Sequence, residues 1–185
     1  MKKLILCIAI FLGTFLGSAE AKSVRFTINT AHGFSTTDGS LYAIVEFPGK
    51  SAHDIYNMMA TNIGLSYYQP EEVMYGVEDR FISVATSESN FCSNGSQTWS
   101  AQYFLKFLIK DGKVLVLRPK VSEVSANYRT KMKFTEFITK YWYDSTNQTF
   151  IESEHNNMIY TELVVNSTIN TILGIISDDI VPDQW

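Results

Sequence analysis

Hydrophobic and polar residues alternate between Trp99 and Ile109, a pattern typical of a β-strand with one buried face. Successive side chains on a strand point to opposite faces, so every second residue is expected to line the core. Asp111-Gly112 follows and predicts a tight hairpin turn, because both central residues of a type I′ turn need positive φ. Lys113–Arg118 is predicted to return as the next strand, and Pro119 ends it because proline cannot donate to a ladder.

Three more segments show the same period of two. They are Leu41–Phe47, Glu72–Glu78 and Phe81–Thr86, and the last two are close enough to form a hairpin. Residues 87–98 are rich in Ser and Asn and are predicted to form a loop.

Two segments have the period of an amphipathic helix. Ser51 and Asp54 form a variant capping box, and Gly64 and Pro70 mark where the first helix should end. The apolar stripe of this helix comprises Ala52, Ile55, Tyr56, Met59 and Ile63. A last helix is expected to begin at Asn156 or Asn157, with a stripe of Met158, Val165, Ile169, Ile172, Leu173 and Ile176.

These elements predict an α+β fold in which helices pack on one face of an antiparallel sheet, in the order β-α-β-β-β-β-α. The single domain is expected to span residues 41–178. Residues 22–40 are predicted to be a weakly ordered arm and residues 179–185 a loose acidic tail. Residues 128–143 fit both periods, and we expect helix or irregular structure there.

The first 21 residues have the layout of a signal peptide. Met1-Lys2-Lys3 is basic, Leu4–Leu16 is apolar, and Ala19-Glu20-Ala21 predicts cleavage after Ala21. The apolar run is shorter than the about 20 residues that a membrane-spanning helix needs. We therefore expect an exported chain, periplasmic or extracellular, with no transmembrane span after cleavage.

Composition and charge indicate a globular protein and argue against some classes of partner. The chain has 185 residues, 45% of them hydrophobic and 18% charged, which is typical of a globular protein. Its formal charge of −4 argues against nucleic acid as a partner, because phosphate binding needs a basic surplus. Cleavage would leave one cysteine, Cys92, which has no internal disulfide partner and is predicted to be buried.

The sequence contains no HExxH, CxxC or GxSxG motif, and we predict no metal or cofactor. Pro48-Gly49-Lys50-Ser51 lacks the upstream glycine of a phosphate-binding loop and is interpreted as a turn before a helix. Glu152, Glu154 and His155 cluster in sequence and are the residues that an enzyme of hydrolase type would use.

Several short motifs together resemble a known family. They are Val45–Ser51, Asp54-Ile55-Tyr56, the hairpin over residues 72–86, Tyr103–Phe107 and Ile109–Lys113. The set, which covers residues 41 to about 126, is similar to uncharacterised exported proteins of Bacteroidota that carry a domain of unknown function with a TATA-binding-protein-like (TBP-like) fold. The resemblance implies that fold and export, and it implies no activity. The DNA binding of the fold's namesake does not transfer with the fold.

Three consecutive aromatic residues, Tyr141, Trp142 and Tyr143, suggest a binding surface. Neighbours on a strand face opposite ways, so at least one of them should be exposed. By elimination, the sequence favours a non-catalytic exported domain that binds a protein, peptide or glycan in the cell envelope. The alternatives are an enzyme with an unrecognised hydrolase-type site and a purely structural envelope component.

Overall fold

The structure, a computed structural model, describes residues 22–126 and 130–176. The predicted signal peptide, its cleavage site and the predicted tail lie outside these residues. The strands, helices and helical turns in chain order are β1 (Phe26–Asn29), β2 (Gly33–Thr36), β3 (Tyr42–Glu46), α1 (Ala52–Ser66), α2 (Pro70–Val73), β4 (Met74–Val77), β5 (Phe81–Ser93), β6 (Thr98–Lys110), β7 (Lys113–Leu117), β8 (Lys120–Ala126), β9 (Thr130–Lys133), α3 (Phe134–Phe137), a π-helical turn (Ile138–Trp142), β10 (Tyr143–Asp144), β11 (Thr149–Phe150), a 3₁₀ turn (Glu152–Glu154) and α4 (His155–Leu173).

The main sheet is antiparallel and has the strand order β3-β7-β6-β5-β4. The central strand β6 also pairs with β8 near its start, and β9 continues the sheet beyond β8. One face of β6 is buried as the alternation predicts, and its core residues are Trp99, Ala101, Tyr103, Leu105, Phe107 and Ile109. The fold class predicted from the sequence, α+β with an antiparallel sheet, is confirmed.

The element order is richer than the predicted β-α-β-β-β-β-α. Pro119 separates β7 from β8 without ending the sheet, because β8 pairs with an earlier part of β6. The predicted loop over residues 87–98 is mostly strand, since β5 continues to Ser93 and a turn at 94–97 leads into β6. Residues 130–133 form a strand before helical structure begins, so the ambiguous segment contains both.

Local signals position the two long helices. Ser51 and Asp54 form the predicted capping box of α1, and Ile55, Met59 and Ile63 are buried beneath it. The last helix begins at His155, directly after the 3₁₀ turn, and not at an asparagine cap. It ends at Leu173, and Gly174 caps it with a left-handed φ of 68°. Ile176, assigned to the stripe from sequence, lies beyond this cap and is exposed.

Residues 22–40 are not a weakly ordered arm. They contain the hairpin β1–β2, whose Phe26 and Phe34 are fully buried. Polar side chains of α4 bind the backbone of this segment: the Asn166 amide accepts from the Phe26 N–H and donates to its carbonyl, both at 2.9 Å. Asn170 does the same for Val24. The prediction failed because α4, which holds the hairpin, is about 140 residues away in the sequence.

Candidate binding face

The sheet has one face packed against the core and one open face. The open face of β6 carries Phe104, Lys106 and Leu108, which alternate with the buried residues of the same strand. The strand register places these residues beside exposed side chains of the neighbouring strands.

An apolar row crosses the open face from one edge strand to the other. In the register of the sheet it runs Val77, Phe81, Leu108, Leu115 and Ile44. The ends of the row are the most open: Ile44 is 53% exposed and Val77 is 41% exposed. A contiguous row of exposed apolar side chains is a candidate site of association.

A second row adds aromatic and cationic groups. Tyr75 pairs with Ser83, which pairs with Lys106, and Tyr75 is 70% exposed. Its ring lies 5.8 Å from that of Phe81, centroid to centroid. The Lys106 ammonium lies 5.1 Å from the centroid of the Phe81 ring, within the range of a cation–π contact. This part of the face therefore offers flat apolar surface beside a positive charge.

The other end of the open face is a polar groove of about 710 Å³, between β5, β8 and the start of β6. Hydroxyl groups dominate its lining, and Gln102 contributes an amide. Glu88, Glu123 and Lys131 contribute charges. Phe104 lines the groove and is 44% exposed, so it joins the polar groove to the apolar row. The apolar row, the Tyr75 row and this groove all lie on the open face of the sheet.

The structure places Tyr141 and Trp142 in the π-helical turn and Tyr143 at the start of the short strand β10. Trp142 is fully buried, and its indole N–H donates to the Ser93 carbonyl at 2.7 Å. Its ring packs against Phe134 and Phe137. The prediction that Trp142 contacts a ligand is therefore wrong, because helical geometry turns this side chain into the core.

The two tyrosines on either side of Trp142 are half-buried. The Tyr141 ring packs on Phe137 at 5.1 Å and on Trp99 at 6.2 Å. Tyr143 lies on β10 and its ring is 5.5 Å from that of Phe150. Their partial exposure agrees with the expectation that the triplet cannot be wholly buried, and a role for them in binding stays a prediction.

The residues of the alternative enzyme do not form a shared site in the structure. The Glu154 carboxylate accepts from the Asn157 amide at 2.7 Å, as a helix-start contact would. His155 is exposed at the first position of α4, and Glu152 is exposed on the 3₁₀ turn. The polar groove described above is lined by none of the three.

Cys92 is buried, as predicted, and burial raises the pKa of its thiol well above the ordinary value. The thiol is therefore protonated at neutral pH and is a poor nucleophile.

An exposed cluster that the sequence analysis did not single out joins α1 to the β4–β5 turn. His53 Nδ1 lies 3.1 Å from the Asp79 carboxylate and 3.3 Å from that of Glu78. The Asn57 amide contacts His53 Nε2 at 2.9 Å. Three such groups can in principle ligate a divalent cation. Their contacts with one another already account for the arrangement, which tethers the turn to the helix.

No protein-family model matches the chain, and no curated protein matches it. A DUF4468 family protein from Bacteroides ovatus matches in structure with a TM-score of 0.52 at 14% identity, over 75% of this chain and 88% of that one. This chain shares the fold of that DUF4468 family protein. The family resemblance predicted from the sequence is thus supported at the level of fold.

A TBP-like protein from Parabacteroides distasonis aligns over 72% of this chain and 88% of its own, with a TM-score of 0.49 and 11% identity. Within the residues that the structure describes, we find no helix with the length and apolar character needed to cross a membrane.

Proposed function

We propose that this chain is an exported, non-catalytic domain that binds a protein, peptide or glycan of the cell envelope through its open face. The observation that carries the proposal is the apolar row from Val77 to Ile44, which crosses every strand of the main path of the sheet. Exposing these side chains to water is unfavourable, at about 25 cal/mol per Å² of apolar surface. A partner that covers them recovers this free energy.

The two ends of the open face fit different parts of such a ligand. The row with Tyr75 offers the aromatic surface and cation that commonly anchor protein contacts. The groove offers hydroxyl and amide groups that hydrogen-bond to sugars or to a peptide backbone. Phe104 lies at the junction and is therefore the best position from which to detect either class of ligand.

Photo-crosslinking in the native cell tests this proposal. Phe104 is replaced by benzoylphenylalanine in the full chain, and Tyr68, which is 99% exposed after the end of α1, receives the same replacement as the control. We expect a discrete adduct from position 104 and none of the same mass from position 68. Loss of the added mass on glycosidase treatment then identifies a glycan, whereas peptides foreign to this chain in a protease digest of the adduct identify a protein or peptide.

A second set of variants connects the adduct to the apolar row. Tyr75→Ser and Leu108→Ser should reduce the yield of the position-104 adduct, whereas Leu65→Ser, an exposed change on α1, should not. Equal adducts from positions 104 and 68, or no adduct from 104, would overturn the assignment of the open face as the binding surface.

A further inference from the structure

One edge of the sheet has backbone groups with no strand beside them. Among the described residues, β3 pairs only with β7. The Phe47 N–H donates to the Gly112 carbonyl, and the Arg118 N–H donates to the Leu41 carbonyl. Because bonding alternates along an antiparallel strand, the odd-numbered residues of β3 bond to β7. The N–H and C=O groups of Tyr42, Ile44 and Glu46 therefore point away from the sheet.

This edge also lacks the lysine and proline that often block strand addition. The edge strand β9, for comparison, carries Lys131 and Lys133. The five-residue strand β3 has no proline and no lysine, and Glu46 is its single charged residue. Tyr42 and Ile44 project from it on the open face, 48% and 53% exposed.

We propose that two copies of this chain pair through β3, antiparallel and with a two-fold axis at Ile44. In this register Ile44 lies opposite Ile44 of the second copy, and Tyr42 lies opposite Glu46. All the outward backbone groups of the three residues then find partners in the other copy. The inference goes beyond the binding function proposed above and does not depend on it.

The charge of Glu46 and the position of the apolar row favour a second copy of this chain as the partner, paired in this register. Antiparallel pairing at Ile44 keeps the two Glu46 side chains apart, whereas in-register parallel pairing would bring them side by side. Within its own chain Glu46 already lies beside Lys113 of β7. The apolar row ends at Ile44, so the second copy extends it without a polar gap and joins the two open faces into one surface. A two-fold contact of this kind is closed and does not propagate into fibres.

The test measures self-association of the full-length chain by sedimentation velocity, from about 10 µM to about 1 mM, because a single strand pair is expected to form a small, weak interface. We expect dimers in this range. Ile44→Lys and Ile44→Glu each place like charges on the axis and should weaken association about tenfold or more. An equimolar mixture of the two variants should dimerise again, because opposite charges then meet.

The matched control is Val77, which ends the same apolar row at the opposite edge of the sheet. Val77→Lys should dimerise like the wild type. Ile44→Cys should form a disulfide between copies on oxidation, since paired Cα atoms about 5.5 Å apart suit that bond, and Val77→Cys should not. This disulfide shows which residues of the two copies lie opposite each other. It does not depend on whether the charged variants are stable. A wild-type chain that stays monomeric throughout the range, or an Ile44→Lys variant that dimerises normally, would overturn the proposal.

Discussion

The Glu162 side chain of α4 is partly buried and binds the backbone of β1. Glu162 Oε1 accepts a hydrogen bond from the Ile28 N–H of β1 at 2.8 Å. Burial raises the pKa of Glu162 above its ordinary value of 4.5, although this hydrogen bond and the charges of Arg25 and His155 act in the opposite direction. Burial outweighs the other causes because it removes the ionised carboxylate from water.

The raised pKa predicts how the stability of the protein depends on pH. The folded state binds the Glu162 proton more tightly than the unfolded state does, so its contribution is complete below about pH 4.5 and is lost as the pH rises through the folded pKa. Glu162→Gln keeps an acceptor for Ile28 and cannot ionise. We expect the free energy of unfolding of the wild type to fall relative to Glu162→Gln as the pH rises from 4 to 7, as measured by urea denaturation.

The His155→Gln variant removes one of the charges that oppose the effect of burial on the pKa of Glu162. The fall in stability between pH 4 and 7 should persist in this variant. A wild type that gains stability relative to Glu162→Gln between pH 4 and 7 would mean that the ionised carboxylate is the favoured form.

At the scale of elements, the docking of β1 on α4 depends on matched repeats. Glu162, Asn166 and Asn170 are four residues apart on the helix, about 6 Å per step. They bind Ile28 and Phe26 of β1 and Val24, which precedes the strand. These three residues are two apart in the chain, which is about 6.7 Å per step in a strand. A helix face therefore supplies hydrogen bonds that a neighbouring strand would otherwise supply.

Removing Asn166, the central of these three side chains, should loosen the β1–β2 hairpin. Asn166→Ala leaves the buried N–H and C=O of Phe26 without partners, and we expect a loss of about 3 kcal/mol in the free energy of unfolding. Asn156→Ala is the control, because Asn156 is an exposed residue of the same helix. Hydrogen exchange of the Phe26 amide should quicken in the first variant only. An unchanged Phe26 exchange rate in Asn166→Ala would show that apolar packing alone holds β1.

At the scale of the whole molecule, the sheet has one face packed into the core and one face open to solvent. Phe104 and Phe107 are three residues apart on β6, yet Phe107 is fully buried and Phe104 is 44% exposed on the open face. Core phenylalanines contribute far more to stability than those that water already reaches. Substitutions on the open face are therefore expected to cost less stability than substitutions in the core.

The two phenylalanines give a matched comparison of the faces. Phe107→Ala should lower the free energy of unfolding by about 3–5 kcal/mol because it leaves a cavity in the core. Phe104→Ala should cost about 1 kcal/mol or less, since its side chain is not enclosed. Urea denaturation of both variants measures the difference. Similar losses from the two changes would mean that the open face is covered by structure in solution.

Much of the fold was predictable because its causes are local. The alternation along β6, the tight hairpin at Asp111-Gly112 and the capping box at Ser51 each depend on a few neighbouring residues, and all three are present in the structure. Of the two turn residues only Gly112 has positive φ, so the turn is not the type I′ turn that the dipeptide predicted. The candidate site was less predictable. Tyr141-Trp142-Tyr143 was a reasonable choice if the segment were a strand, but the π-helical turn buries Trp142.

The sequence by itself determined the α+β class, the long strands of the central sheet and the start of α1, since these follow from periodicity and from contacts within one turn. Only the tertiary structure decided that residues 22–40 are held by α4, because side chains and backbone about 140 residues apart form those bonds. The open face also emerged only from the register. Alternation marks Phe104 and Leu108 as facing away from the core, but pairing between strands aligns Val77, Phe81, Leu108, Leu115 and Ile44 in one row.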